Sequence, residues 1–85
     1  MEMLVYILQS SATGKYYVGQ TKDIEERLKR HNEGRVKSTS HGLPLNLVHT
    51  IPVRNRSEAL ILESKIKKRG AKRYLNDQGL YFSQF

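Results

Sequence analysis

Met3 to Leu8 is an unbroken apolar run that ends at Gln9-Ser10 and is short enough to be a central strand. A turn-forming stretch, Ser10-Ser11-Ala12-Thr13-Gly14, follows it. Lys15 to Gly19 then resumes with aromatic and β-branched residues, so the two runs predict a hairpin. A register symmetric about Ser11 and Ala12 sets Tyr6 directly opposite Tyr17, with both rings on one face. Asp23 and Glu26 have the spacing of an N-cap and its return partner, which predicts a helix starting there and stopping at Gly34. Its apolar stripe is Ile24 and Leu28. At about 100° per residue, His31 falls within that stripe and Arg27 at its edge, while Glu25, Glu26, Lys29 and Arg30 point to solvent.

Arg35 to Pro44 is polar and basic and reads as a loop. Leu45 to Val53 alternates as a third strand, with Leu45, Leu47, His49 and Ile51 on one face and Pro52 marking an end or an edge. A second helix is expected from Asn55 or Ser57 to Gly70, its inner face formed by Ala59, Leu62 and Ile66. Glu63 sits among those apolar positions. Lys65, Lys67 and Lys68 occupy the outer face, and Arg69, Lys72 and Arg73 follow. There are no internal repeats, low-complexity tracts or linkers, so residues 1–85 are expected to form one domain.

Composition narrows the function. With 85 residues and 38% apolar content, the chain supports one thin core. No stretch is long enough to cross a bilayer, and the N-terminus lacks signal-peptide flanks, so a cytoplasmic protein is expected. The absence of cysteine excludes structural disulfides, zinc-thiolate sites and thiol nucleophiles. Any metal must be held by oxygen or imidazole. Fifteen Lys and Arg against eight acids give a net charge of +7, which attracts polyanions. Nucleic acid is the expected partner rather than a membrane surface, because no strongly amphipathic basic helix stands out.

A carboxylate facing a core must be neutralised or matched by a cation, and for Glu63 either a metal ion or Arg27 would serve. Each polar candidate also has a structural reading. Tyr6 and Tyr17 can be cross-strand aromatics, Arg27 can pair with Glu26 or Glu63 at the surface, and His31 can be a satisfied half-buried histidine. Their convergence from two strands and two helices onto one region favours a site. Tyr16, Tyr74 and Leu75 are assigned to packing and His49 to a structural role. His41, with Arg35 and Lys37, either touches phosphate or is solvated. Leu80, Tyr81, Phe82 and Phe85 either cover the core or recruit another chain.

These residues together resemble the GIY-YIG nuclease family. Leu4-Val5-Tyr6 stands where that family has Gly-Ile-Tyr, and Tyr17-Val18-Gly19 differs from Tyr-Ile-Gly by one conservative change. Gln20-Thr21, Arg27-Leu28, His31-Asn32, Gly34 and the segment Ala59 to Glu63 also fit, so the likeness covers nearly the whole chain. It implies an α+β fold, a small three-stranded antiparallel sheet flanked by helices. The same fold occurs in homing endonucleases, excision-repair incision enzymes and junction-resolving nucleases. It further implies hydrolysis of one phosphodiester strand with a single divalent metal, Mg²⁺ or Mn²⁺, held by Glu63. Tyr6, Tyr17, Arg27 and His31 would line the site, and Asn76 would contact substrate.

The reaction needs an activated water, neutralised phosphate charge and support for the leaving oxygen. Arg27 would grip the scissile phosphate. Tyr6 is the candidate base and Tyr17 would position water or base. A phenol titrates near about 10, so Tyr6 needs that value lowered by the metal and Arg27. His31 would orient a tyrosine or relay the proton. Arg35, Lys37, Lys65, Lys67 and Lys68 would follow the phosphate backbone. The substrate class is DNA, branched, damaged or single-stranded, with RNA left open. The alternatives are a nucleic-acid-binding module without turnover and, more remotely, a protein-interaction domain. With no specificity domain attached, target choice would come from the surface, a homodimer or a protein partner.

Overall fold

The computed structural model describes residues 2–79. In chain order these form β1 (Met3–Ser10), β2 (Tyr16–Thr21), α1 (Ile24–Asn32), a 3-10 turn (Lys37–Thr39), β3 (Leu45–Val53), α2 (Arg56–Arg69) and α3 (Ala71–Asp77). The sheet is antiparallel with strand order β2-β1-β3, so the unbroken apolar run is the central strand, as expected. The architecture is α+β. Met3, Val5 and Ile7 pack with Ala59, Ile66 and Leu75 from α2 and α3. Tyr6 and Leu8 turn to the opposite face, where Leu45, Ile24 and Leu28 meet them under α1.

The hairpin register differs from the symmetric one. Tyr6 pairs with Gly19, and Leu8 pairs with Tyr17. The cause lies in Ser10, whose Oγ accepts from the backbone N–H groups of Ala12 (3.1 Å) and Thr13 (2.9 Å) and builds a wider turn. Gly14 completes it at φ 78°. The displacement is two residues, an even number, so Tyr6 and Tyr17 still share a face. In β3 the expected single alternation breaks at a bulge: Leu8 pairs with Leu47 and Ile7 with His49, leaving Val48 extra. Leu45 therefore packs beside Tyr6 and Leu8, whereas Val48, Ile51 and Val53 pack on the α2 side.

Asp23 caps α1 by accepting from Glu26 N–H at 3.1 Å. The helix ends at Asn32 with Glu33 as its C-cap, and Gly34 follows at φ 76° as the expected glycine stop, while the Asn32 side chain binds the backbone of Leu45. It donates to Leu45 O at 3.0 Å and accepts from Leu45 N at 2.7 Å, clamping α1 to the start of β3. Asn55 caps α2 through Glu58 N–H at 2.9 Å. Gly70, at φ 91°, ends α2 and starts α3, an additional helix beyond the expected pair that buries Leu75 and packs Tyr74. Leu80, Tyr81, Phe82 and Phe85 lie outside the described residues. Among the described residues no helix is long and apolar enough to cross a membrane.

Candidate active site

Tyr6 is 4% exposed on the α1 face of β1. Its ring lies across Gly19 so closely that a Cβ on that residue would collide with the phenol. The glycine is thus demanded by the tyrosine's position. The Tyr6 hydroxyl is 3.2 Å from His31 Nε2, with the rings edge to face and their centroids 6.0 Å apart. On the other side of the imidazole, Nδ1 is 2.8 Å from Thr39 Oγ1. Thr39 is buried in the 3-10 turn, and its hydroxyl donates to Val36 O at 3.3 Å. The loop expected from Arg35 to Pro44 therefore supplies a buried polar residue to the cavity. Nothing in the local sequence marks Thr39 apart from the need of a buried His31 for a second partner.

Burial pushes the Tyr6 phenol above its ordinary range, Arg27 pulls it down, and Glu63 pushes it up again. The sum is upward. Burial, assisted by the Arg27 charge, holds His31 below the usual histidine value, so its imidazole is neutral near pH 7.

Tyr6, Tyr17, Arg27 and His31 line one cavity of about 560 Å³, together with Thr39 and Lys67. The cavity wraps around β2, which is an edge strand, and so also touches Tyr16, which packs on the α2 side. Arg27 is half-buried and, among the described residues, enters no ion pair. Its Nε is buried without a hydrogen-bond partner. Glu26, one of its expected surface partners, binds Arg30 at 2.9 Å instead.

Glu63 lies beside this cavity, in an adjoining groove of about 450 Å³ with Leu60, Ser64, Lys67 and Lys68. Its side chain is 17% exposed. The cation that matches it is Lys67, whose Nζ is 2.7 Å from Oε2, and not Arg27. Lys67 stands one helical turn on from Glu63, so its long stem folds back along α2 instead of pointing outward as expected. It lines both the groove and the cavity and joins the two. Gln20 Nε2 donates to Glu63 Oε1 at 3.1 Å. The amide oxygen of Gln20 is buried without a partner.

The remaining basic candidates are dispersed. Arg35 pairs with Glu33 at 3.2 Å, and Lys37 is exposed on the 3-10 turn. Lys65 and Lys68 flank a groove between α2 and α3, while Asn76 and His41 are exposed. Among the described residues no three His, Cys, Asp or Glu side chains cluster as a metal cage. Glu63 with the free Gln20 carbonyl oxygen offers a small, hard donor set. That set fits Mg²⁺ or Mn²⁺ keeping most of its water, and does not fit zinc.

A family model for the GIY-YIG catalytic domain matches residues 2–76. A UPF0213 protein of Haloquadratum walsbyi is 37% identical over 83 residues, spanning 94% of this chain and 92% of its own. Another, from Halobacterium salinarum, is 38% identical over 65 residues, 75% of this chain and 83% of its own. The solution NMR structure of a UPF0213 protein from Bacillus halodurans superposes with a TM-score of 0.56 at 33% identity, covering 92% of this chain and 85% of that one. On this agreement of sequence, fold and motif, the chain belongs to the GIY-YIG family, whose members are in general endonucleases that use a divalent metal.

Proposed function

We propose that the protein is a metal-dependent endonuclease that hydrolyses one phosphodiester strand of DNA. The observation that carries this reading is Arg27, a half-buried guanidinium without an ion-pair partner among the described residues, facing a cavity it shares with the Tyr6–His31 pair. An arginine kept for structure alone would be expected to find a carboxylate. One left open toward a cavity suits a phosphate, which its planar fork binds with two parallel hydrogen bonds. The charge of +7 brings such a ligand in.

In the proposed reaction the oxygen of a water molecule bonds to phosphorus as the bond to the leaving sugar oxygen breaks. The water's proton passes to the Tyr6 oxygen while the phenol's own proton passes to His31 Nε2, 3.2 Å away. The phenol therefore need not ionise against its raised pKa. His31, neutral near pH 7, has an empty position for that proton. The leaving oxygen takes its proton from solvent. Arg27 holds the non-bridging oxygens as their charge grows, and Tyr17, on the same face as Tyr6, orients the attacking water. Glu63 and the Gln20 carbonyl oxygen would hold the divalent cation, whose chemistry there is Lewis-acid withdrawal of charge from the phosphate.

The test is nicking of supercoiled plasmid and of branched duplex DNA in Mg²⁺, Mn²⁺ or chelator. Arg27→Ala is expected to lower the rate about 10²–10³-fold, and Glu63→Ala or chelator to remove cleavage. Nicking that survives both substitutions would leave only a basic nucleic-acid-binding module.

A further inference from the structure

We infer that Thr39 is a positioning residue that fixes the neutral His31 proton on Nδ1 and so keeps Nε2 bare to accept a proton from Tyr6. This rests on the proposed roles of Tyr6 and His31 and adds the element that sets the direction of transfer between them.

The direction follows from counting protons along a buried chain of hydrogen bonds. The Val36 carbonyl can only accept, and Thr39 Oγ1 lies 3.3 Å from it. The threonine hydroxyl has one proton, and once that proton is given to Val36 its oxygen is left as an acceptor for His31 Nδ1–H at 2.8 Å. A neutral imidazole carries one N–H, so Nε2 then presents a lone pair to the Tyr6 hydroxyl at 3.2 Å. At the other end, Arg27, which can only donate, lies against the phenol oxygen. A second donor on that oxygen from His31 would compete with it, whereas an accepting Nε2 does not. The opposite tautomer would turn the Thr39 hydroxyl away from Val36 and place Nε2–H against Tyr6. His31 would then be unable to take the phenol proton. Among the described residues, Tyr6 on β1, Arg27 on α1 and Thr39 on the 3-10 turn are the polar groups that meet around this imidazole, and no carboxylate hydrogen-bonds to it.

The experiment is a long-range ¹H–¹⁵N correlation of the histidine side chains of the full chain without metal or DNA at pH 7.5, in parallel with steady-state nicking. Wild-type His31 is expected to show the Nδ1–H pattern. Thr39→Val, which keeps the shape and loses the hydroxyl, is expected to shift His31 toward Nε2–H and to lower kcat about tenfold with KM unchanged. Thr39→Ser is expected to restore both. A wild-type Nε2–H pattern overturns the inference whether or not any variant folds, and so does an unchanged pattern in Thr39→Val. Because the ring signals are read without substrate, a protein that never nicks DNA would remove the proposed nuclease activity while leaving the assignment of the tautomer to stand or fall separately.

Discussion

On one side of β1, Val5 and Ile7 are completely buried against Ala59, Ile66 and Leu75, and the buried side chains of that cluster contain no hydrogen-bonding group. On the other side, on the same strand, Tyr6 shares its burial with His31 and Thr39, and each is held by named polar partners. The first face is stabilised by apolar area and close packing, the second by the completeness of a hydrogen-bond chain. On the proposed reading, the chemistry belongs to the second face. A leucine or phenylalanine beneath the helix would need no hydrogen-bond partner, whereas buried polar groups there carry a desolvation cost that their mutual hydrogen bonds must offset.

Exchanging groups on the two faces should therefore have opposite signatures. The largest expected effect on stability is at Ile66, 0% exposed. Ile66→Ala should cost about 2–5 kcal/mol, read from the denaturant midpoint, with nicking per folded molecule unchanged. Tyr6→Phe should do the reverse. Losing only the hydroxyl, it should slow nicking by about 10²-fold while costing about 1 kcal/mol of stability. Tyr16→Phe, on the α2 side of β2, should alter neither quantity by much. An equal loss of rate from Tyr16→Phe would break the contrast, because it would mean that the cavity draws its chemistry from both sides of the sheet.

The polar face was partly visible before folding. Arg27 and His31 could be placed because a helix carries its period from the Asp23 cap, and only a few residues separate the cap from them. Glu63 was visible for the same reason within α2. What local patterns could not give were choices made between distant segments. The hairpin register depended on the Ser10 hydroxyl capturing two backbone amides, and the β3 faces depended on a bulge opposite Ile7 and Leu8. The helical wheel places Lys67 on the outer face of α2, yet a lysine stem is long enough to bend back onto a carboxylate one turn away. Thr39 had no local signal, since its role depends on an imidazole eight residues earlier.

A smaller effect is expected away from both faces. Replacing Lys65 and Lys68 with alanine should weaken DNA binding by roughly tenfold at low salt and flatten its salt dependence by about one unit of slope for each phosphate no longer neutralised. Stability should hardly move, because both side chains are exposed on α2. Unchanged affinity would confine the nucleic-acid surface to the cavity and its rim.

The smallest effect separates the faces by their response to acid. Burial and Arg27 oppose protonation of His31 in the folded protein, so its folded pKa lies below the unfolded value of about 6.5. As pH falls through 6.5 the unfolded chain takes up a proton that the native state refuses. The unfolded state then binds more protons and stability declines, until the pH passes below the folded value and the loss levels off. Denaturation curves between pH 7.5 and 5 should show this decline in the wild type and a shallower one in His31→Gln. Ile66→Ala, by contrast, should shift the whole profile down in parallel, since no buried side chain of its cluster titrates. A profile for His31→Gln as steep as the wild type would show that the imidazole accepts its proton freely in the fold, and the two faces would then differ in shape alone.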